Sequence, residues 1–145
     1  LTPLVPSTNR PGYTIIARSI TSRSLASGVP NYAVLDTSNV TICDYVADDL
    51  NSFLASTYAG FKITSDSSDG TPPRAPNVTS PSLIRAVIAQ RLAEFEERAI
   101  IKDTTANLPL LTVTASATPG RIDCNIPCEP MPGLHVLGGD VRHLS

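Results

Sequence analysis

Proline decides where this chain can be regular. Thirteen of its 145 residues are proline, and a residue without an N–H and with φ fixed near −65° is excluded from helix interiors and central strands. The prolines cluster. Those at 3, 6 and 11 make residues 1–12 an extended N-terminal arm, and those at 127, 130 and 132 bend the chain near its end. Three more lie in residues 64–79, among serines and aspartates with almost nothing to bury, which predicts an exposed loop. A compact centre with extended ends is therefore expected: a core over residues 13–132, followed by a C-terminal strand or arm over 133–145. A chain of 145 residues is about one domain's worth.

Composition narrows the function classes. Hydrophobic residues make up 41% but aromatics only 5%, and tryptophan is absent, so the core is mostly aliphatic. A net charge of −2 leaves no basic footprint for neutralising phosphates, which argues against a nucleic-acid partner. No apolar run approaches the ~20 residues that span a bilayer, so no membrane insertion is expected. Cys43, Cys124 and Cys128 are an odd set without the density of a disulfide scaffold, which suggests a reduced, cytoplasmic origin. Leu1 stands where an initiating methionine would, as in a piece of a longer protein.

Between the prolines, periodicity assigns the elements. Residues 13–21 (YTIIARSIT) are rich in β-branched side chains and read as a strand. Thr37 or Ser38 is placed to cap a helix in which Ile42, Val46, Leu50, Phe53 and Leu54 share a face, with Gly60 as its stop. Residues 61–63 begin a short strand. The second helix has Ser80 as cap, Pro81 at the first position, and Ile84, Val87, Ile88, Leu92, Phe95 and Ala99 along one face. Glu94 and Arg98 are four apart in the favourable order, and Arg98 and Lys102 suit the helix's negative end. Residues 110–114 read as a strand. Residues 121–126 alternate, with Ile122, Cys124 and Ile126 on the inward side. The predicted fold class is α+β: a small mixed β-sheet packed by two amphipathic helices, with extended N- and C-terminal arms. Both arms carry apolar residues without an obvious local hairpin partner, and such segments complete sheets, including those of a neighbouring subunit.

The parts for catalysis are missing. Cys124 and Cys128 with His135 and His143 would make a Cys₂His₂ set on paper, but the histidines lack the tight spacing of zinc modules, and an inward Cys124 behaves as a small hydrophobe. Asp48 and Asp49 are adjacent and so diverge on a helix, while Glu94, Glu96 and Glu97 read as a solvated face or one that meets a basic partner. No serine sits in a nucleophile elbow, and Gly138 and Gly139 precede no helix that would make a phosphate cradle. The chain is expected not to be an enzyme and to need no cofactor and no metal.

Residues 13–22 (YTIIARSITS), 32–37 (YAVLDT) and 44–54 (DYVADDLNSFL), in that order, resemble the C-terminal part of contractile-tail sheath proteins of myophages and related contractile injection particles. Residues 119–127 (PGRIDCNIP) are similar to a late strand of that family, residues 133–144 fall where its last strand would be, and Thr2, Pro3 and Leu4 resemble a family segment. The 64–79 loop is unmatched, and the Gly138–Gly139 pair and the prolines of 128–132 depart from the pattern.

The resemblance implies a structural subunit located in the virion tail, assembled in the host bacterial cytoplasm as a helical sheath of six-fold rings. Its partners would be other copies of itself, a tail tube protein and a baseplate. Its subunits would lend strands to one another's sheets and drive contraction around the tube. Inter-subunit strands would be carried by Tyr13, Ile15, Ile16 and Ile20 at one end, and by Leu134, Val136, Leu137, Val141 and Leu144 at the other. The first of these segments is equally open to pairing within its own domain, while exchange is expected of the second. Arg85, Arg91, Glu94, Glu97 and Arg98 form a candidate tube-facing surface or an ordinary solvated face. The alternative is another virion tail or baseplate structural domain, and after it a small metal-binding or enzymatic domain.

Overall fold

A computed structural model describes residues 36–68 and 70–133 in full. Before them it describes Pro11 and Gly12 and the backbone of 4–6, 14–16, 25–26 and 29–30. Tyr13, Ile20, Leu134, His135, Val136, Leu137, Gly138, Gly139, Val141, His143 and Leu144 lie outside the described residues. The chain divides into two units, one of Leu1–Thr41 with Pro132–Ser145 and one of Ile42–Met131.

In the first unit β1 (Leu4–Pro6) runs antiparallel to β2 (Thr14–Ile16), with Leu4 opposite Ile16 and Val5 opposite Ile15. The proline-spaced opening thus supplies a strand as well as an arm, and Ile15 and Ile16 pair along one edge with their own chain. Pro11 and Gly12 form the turn, with Gly12 at φ +85°. β3 (Leu25–Ala26) and β4 (Val29–Pro30) make a second, minimal hairpin.

Helix α1 spans Thr37–Thr57. Its start is held by Asp36, one residue earlier than the predicted cap: the Asp36 carboxylate accepts the Ser38 N–H at 3.1 Å and the Ser38 hydroxyl. A carboxylate satisfies an orphan amide and also favours the helix's positive end. Gly60, at φ +77°, turns the chain away as expected. β5 (Lys62–Ile63) follows and pairs in parallel with β6 (Val78–Thr79). The 64–79 loop is exposed along most of its length, yet its end is drawn in, and Thr79 is buried.

Helix α2 (Pro81–Glu97) is the centre of the second unit. Ile84, Ile88, Leu92 and Phe95 are buried on one face, where they form the core with Val46, Leu50, Ile101 and Leu111. Burying side chains of this size contributes about 1.5–3 kcal/mol each. Two expectations are corrected at its ends. Ser80 stands at the cap position, but its hydroxyl makes no cap bond and meets the Ser82 hydroxyl at 3.0 Å; the Ser82 N–H is instead accepted by Asp66 at 3.0 Å, from within the loop. Ala99 does not extend the apolar face. It is exposed, at φ +55°, and it ends the helix. The Ile100 N–H donates to the Phe95 carbonyl at 3.0 Å and the Ala99 N–H to that of Glu96 at 2.8 Å. This is a Schellman closure with alanine where glycine is usual.

A short helix α3 (Thr104–Asn107) and a 3₁₀ turn (Leu108–Leu110) lead into β7 (Thr112–Ala115), so the strand begins two residues after the predicted start. β7 pairs antiparallel with β8 (Ile122–Asn125), Val113 opposite Cys124. The chain then folds back along residues 100–102: Lys102 N–H donates to the Glu129 carbonyl at 2.9 Å and Met131 N–H to that of Ile100 at 3.0 Å. The fold class is the expected α+β. The described strands join only in twos, as four separate pairs.

Candidate docking groove

α1 presents two kinds of apolar position. Val46 and Leu50 are fully buried against α2, whereas Ile42, Phe53 and Leu54 are half-buried. Of these, Leu54 lies on the flank of α1 that faces β8 across an open groove. One part, ≈ 340 Å³, is lined by Ala47, Leu50, Asn51, Leu54, Ile122, Cys124 and Ile126. A second, ≈ 270 Å³, continues past Leu54, Ile122 and Cys124 to Tyr58, Phe61, Ile63, Thr79, Ile84 and Gly120. Tyr58 and Phe61 meet edge to face with ring centroids 5.3 Å apart, which gives this end a rigid aromatic wall.

Cys124 was expected on the inward side of its strand and is exposed. The alternation holds geometrically, since Ile122 and Ile126 pack against the core while Asp123 and Asn125 are exposed. What is missing is cover: the inward face of β8 looks partly into the groove. Desolvation, with a smaller effect from the Asp123 carboxylate, still pushes the Cys124 thiol up. The Thr79 hydroxyl, on the groove wall, is buried without a hydrogen-bond partner, and an unpaired buried hydroxyl is destabilising until something bonds to it. Among the described residues no third strand joins the β7–β8 pair.

The five residues of the candidate tube-facing surface are distributed differently. Arg85 donates through Nε to the Leu111 carbonyl (3.1 Å) and through Nη2 to that of Leu108 (2.9 Å), bracing the turn before β7. Arg91 forks onto Asp49 of α1 with Nε–Oδ1 and Nη2–Oδ2 distances of 2.9 Å, and it stacks over Phe53 and Phe95, each ring centroid 5.3 Å away. Glu94 pairs with Arg91 at 2.6 Å rather than with Arg98. Glu94 and Asp49 together raise the Arg91 pKa, so this guanidinium is charged at every accessible pH. Arg98 lies over Phe95 and reaches the Tyr45 hydroxyl at 3.4 Å, while Glu97 is exposed. Lys102, also expected at the helix end, bridges Asp103 (3.0 Å) and Glu129 (2.7 Å).

Sequence reasoning found the apolar stripe of α1 and the alternation of β8, but not that the two flank one groove. It also missed two side-chain links. The Asp66 bond to Ser82 spans 16 residues, and a 3.2 Å contact joins the Cys43 and Cys128 sulfurs, 85 residues apart. Among the described residues no cluster of three or more histidine, cysteine, aspartate or glutamate side chains is arranged to hold a metal ion, and no helix is long and apolar enough to cross a membrane. The chain matches no protein-family model and no curated protein sequence.

Proposed function

We propose that this chain is a non-enzymatic assembly domain of the contractile-tail sheath type, and that it is completed by a strand from another copy laid along β8 in the groove beside α1. One observation carries this reading: a two-stranded β7–β8 pair beside an apolar groove, with Leu54, Ile122 and Cys124 shared by both parts of that groove. Strand addition obtains affinity from main-chain hydrogen bonds at an unpaired edge and specificity from alternate side chains in flanking pockets. The occupant we favour is residues 134–144 of a neighbouring copy. Leu134, Val136, Leu137, Val141 and Leu144 give that segment apolar side chains for the groove, and the order of motifs in the chain resembles the sheath family at both ends.

The ion pairs of Arg91 and the stacked rings beneath it support this division of labour. They brace α1 against α2 on one side, so that the groove side of α1 is a fixed wall. In an assembly whose subunits slide and rotate, a rigid acceptor keeps strand register while the rest moves. Six-fold rings, a tail tube protein and a baseplate as further partners, and a location in the virion tail, follow from the resemblance alone.

The test is solution mass by light scattering for the intact chain, for a version ending at residue 132, and for Ile122→Asp. The reading expects self-association of the intact chain, with both variants folded and monomeric. Two monomeric chains of which the shortened one is unfolded would mean that the last segment completes its own domain. Self-association undiminished by Ile122→Asp would move the contact away from the groove.

A further inference from the structure

At the end of the groove beside Ala47 and Ile126, α1 and the segment after β8 each bring a thiol to the same place. The Cys43 and Cys128 sulfurs are 3.2 Å apart, both half-buried and both free. Neither is a lone surface cysteine. Cys43 is on a 21-residue helix, and Cys128 is next to Glu129, whose carbonyl and carboxylate are both bonded to Lys102. The two backbones are thus independently fixed, and the sulfurs need to approach by only about 1.2 Å to reach bonding distance. The sulfurs already meet in a thiol–thiol hydrogen bond, Cys43 donating.

We propose that Cys43 and Cys128 are a modification site, a dithiol that small-molecule disulfides of the glutathione class convert reversibly into an intramolecular disulfide. In the forward direction the Cys43 thiolate attacks one sulfur of the small disulfide, forms a mixed disulfide and releases one small thiol. Cys128 then gives up its proton and attacks the Cys43 sulfur, releasing the second small thiol. Two protein thiols are oxidised and one small disulfide is reduced, with no other reactant. Burial pushes the Cys128 thiol up to about 12, reinforced once Cys43 is a thiolate, because Cys128 then donates its hydrogen to that sulfur and faces its charge; this makes Cys128 the resolving rather than the attacking partner. A small excess thiol reverses both steps.

The consequence is mechanical. The bond would pin α1 to the chain beyond β8 at one mouth of the groove, so the width between Leu50 and Ile126, both lining residues, would no longer vary. This follows whether or not a strand occupies the groove.

The experiment uses the full chain carrying Cys124→Ser, so that Cys43 and Cys128 are its only thiols, equilibrated in buffers of graded oxidised to reduced glutathione and quenched with a maleimide. We expect a two-thiol to no-thiol transition without a populated glutathionylated form. The oxidised product should lose the mass of two hydrogens, remain one chain, and yield a crosslink between the tryptic peptides bearing Cys43 and Cys128. Its thermal midpoint should rise by about 5–10 °C, since a closure this long removes much unfolded-chain entropy. The rise should be absent from Cys43→Ser and from Cys128→Ser in the same buffers. Stable addition of one glutathione to each sulfur, a crosslink between chains, or two maleimides per chain at the most oxidising ratio would each overturn the proposal.

Discussion

Helices α1 and α2 each carry an apolar stripe in the sequence and end up in different situations. α2, with 17 residues, buries Pro81, Ile84, Ile88, Leu92 and Phe95, while α1, with 21 residues, buries only Val46 and Leu50. Ile88 and Phe95 have no exposure at all, whereas Tyr45 on α1 is 43% exposed. The difference lies in what each helix is given to pack on. α2 is met by α1, by Ile101 and by Leu111 just before β7, and its stripe is used up within the unit. α1 rests on α2 along one edge of its stripe, and the other edge faces the groove. An apolar pattern tells which side of a helix avoids water, and tertiary structure decides whether the chain itself supplies the cover.

Truncating one side chain on each helix should separate the two most widely. Phe95→Ala removes a fully buried ring that contacts Tyr45 edge to face and lies under two guanidinium groups. It is expected to cost about 3–5 kcal/mol, a large part of the total of about 5–15 kcal/mol available to a domain. Leu54→Ala, on the half-buried flank of α1, should cost only about 1 kcal/mol. Urea midpoints of the two variants measure the gap. Equal losses would mean that α1 is as deeply packed as α2 and that the groove is not open in solution.

Much of this was legible beforehand because periodicity and punctuation are local. Pro81 and the spacing of Ile84, Ile88, Leu92 and Phe95 located α2, and the alternation around Cys124 located β8. What the sequence concealed was long in range or atypical in residue type. Nothing within the 64–79 loop marks Asp66 as the acceptor for the Ser82 amide, since spacing of 16 belongs to no capping pattern. Ala99 falls four residues after Phe95, in register with the apolar face, and alanine does not announce a left-handed residue. The groove itself was invisible, because it depends on α1 and β8 lying side by side, which no local pattern encodes.

The helix starts offer an intermediate test. Asp66 accepts hydrogen bonds from the Ser82 hydroxyl, the Ser82 amide and the Ser80 hydroxyl, which together hold its carboxyl below the ordinary value of 3.8. A carboxylate whose pKa is depressed on folding adds stability above its unfolded value, and that stability is lost as pH falls through the folded value. Hydrogen exchange at the start of α2 should therefore be steady from pH 7 to about pH 4, after correction for intrinsic rates, and should accelerate below that. Asp66→Asn should show faster exchange at neutral pH and lose the acid step. A step unchanged in Asp66→Asn would assign it to another carboxylate, such as Glu129, whose pKa Lys102 and Asn107 also lower.

The helix ends give the smallest effect and the cleanest reciprocal. Beyond α1 the left-handed position is Gly60 at φ +77°, and a Cβ added there would meet nothing within 4 Å. Beyond α2 it is Ala99 at φ +55°, so the better-buried helix carries the worse stop. Left-handed backbone disfavours any residue with a Cβ by roughly 1 kcal/mol, and open space at Gly60 means that backbone conformation is the whole difference there. Ala99→Gly should raise stability by about 0.5–1 kcal/mol, and Gly60→Ala should lower it by about the same amount. Both are readable as shifts in urea midpoint at constant slope. Because each change acts on backbone conformation at the end of a different helix, the two are expected to add in the double variant and return it close to the starting stability. A loss on Ala99→Gly would mean that the alanine methyl packs in solution, and that the end of α2 is closed by contact rather than by backbone geometry.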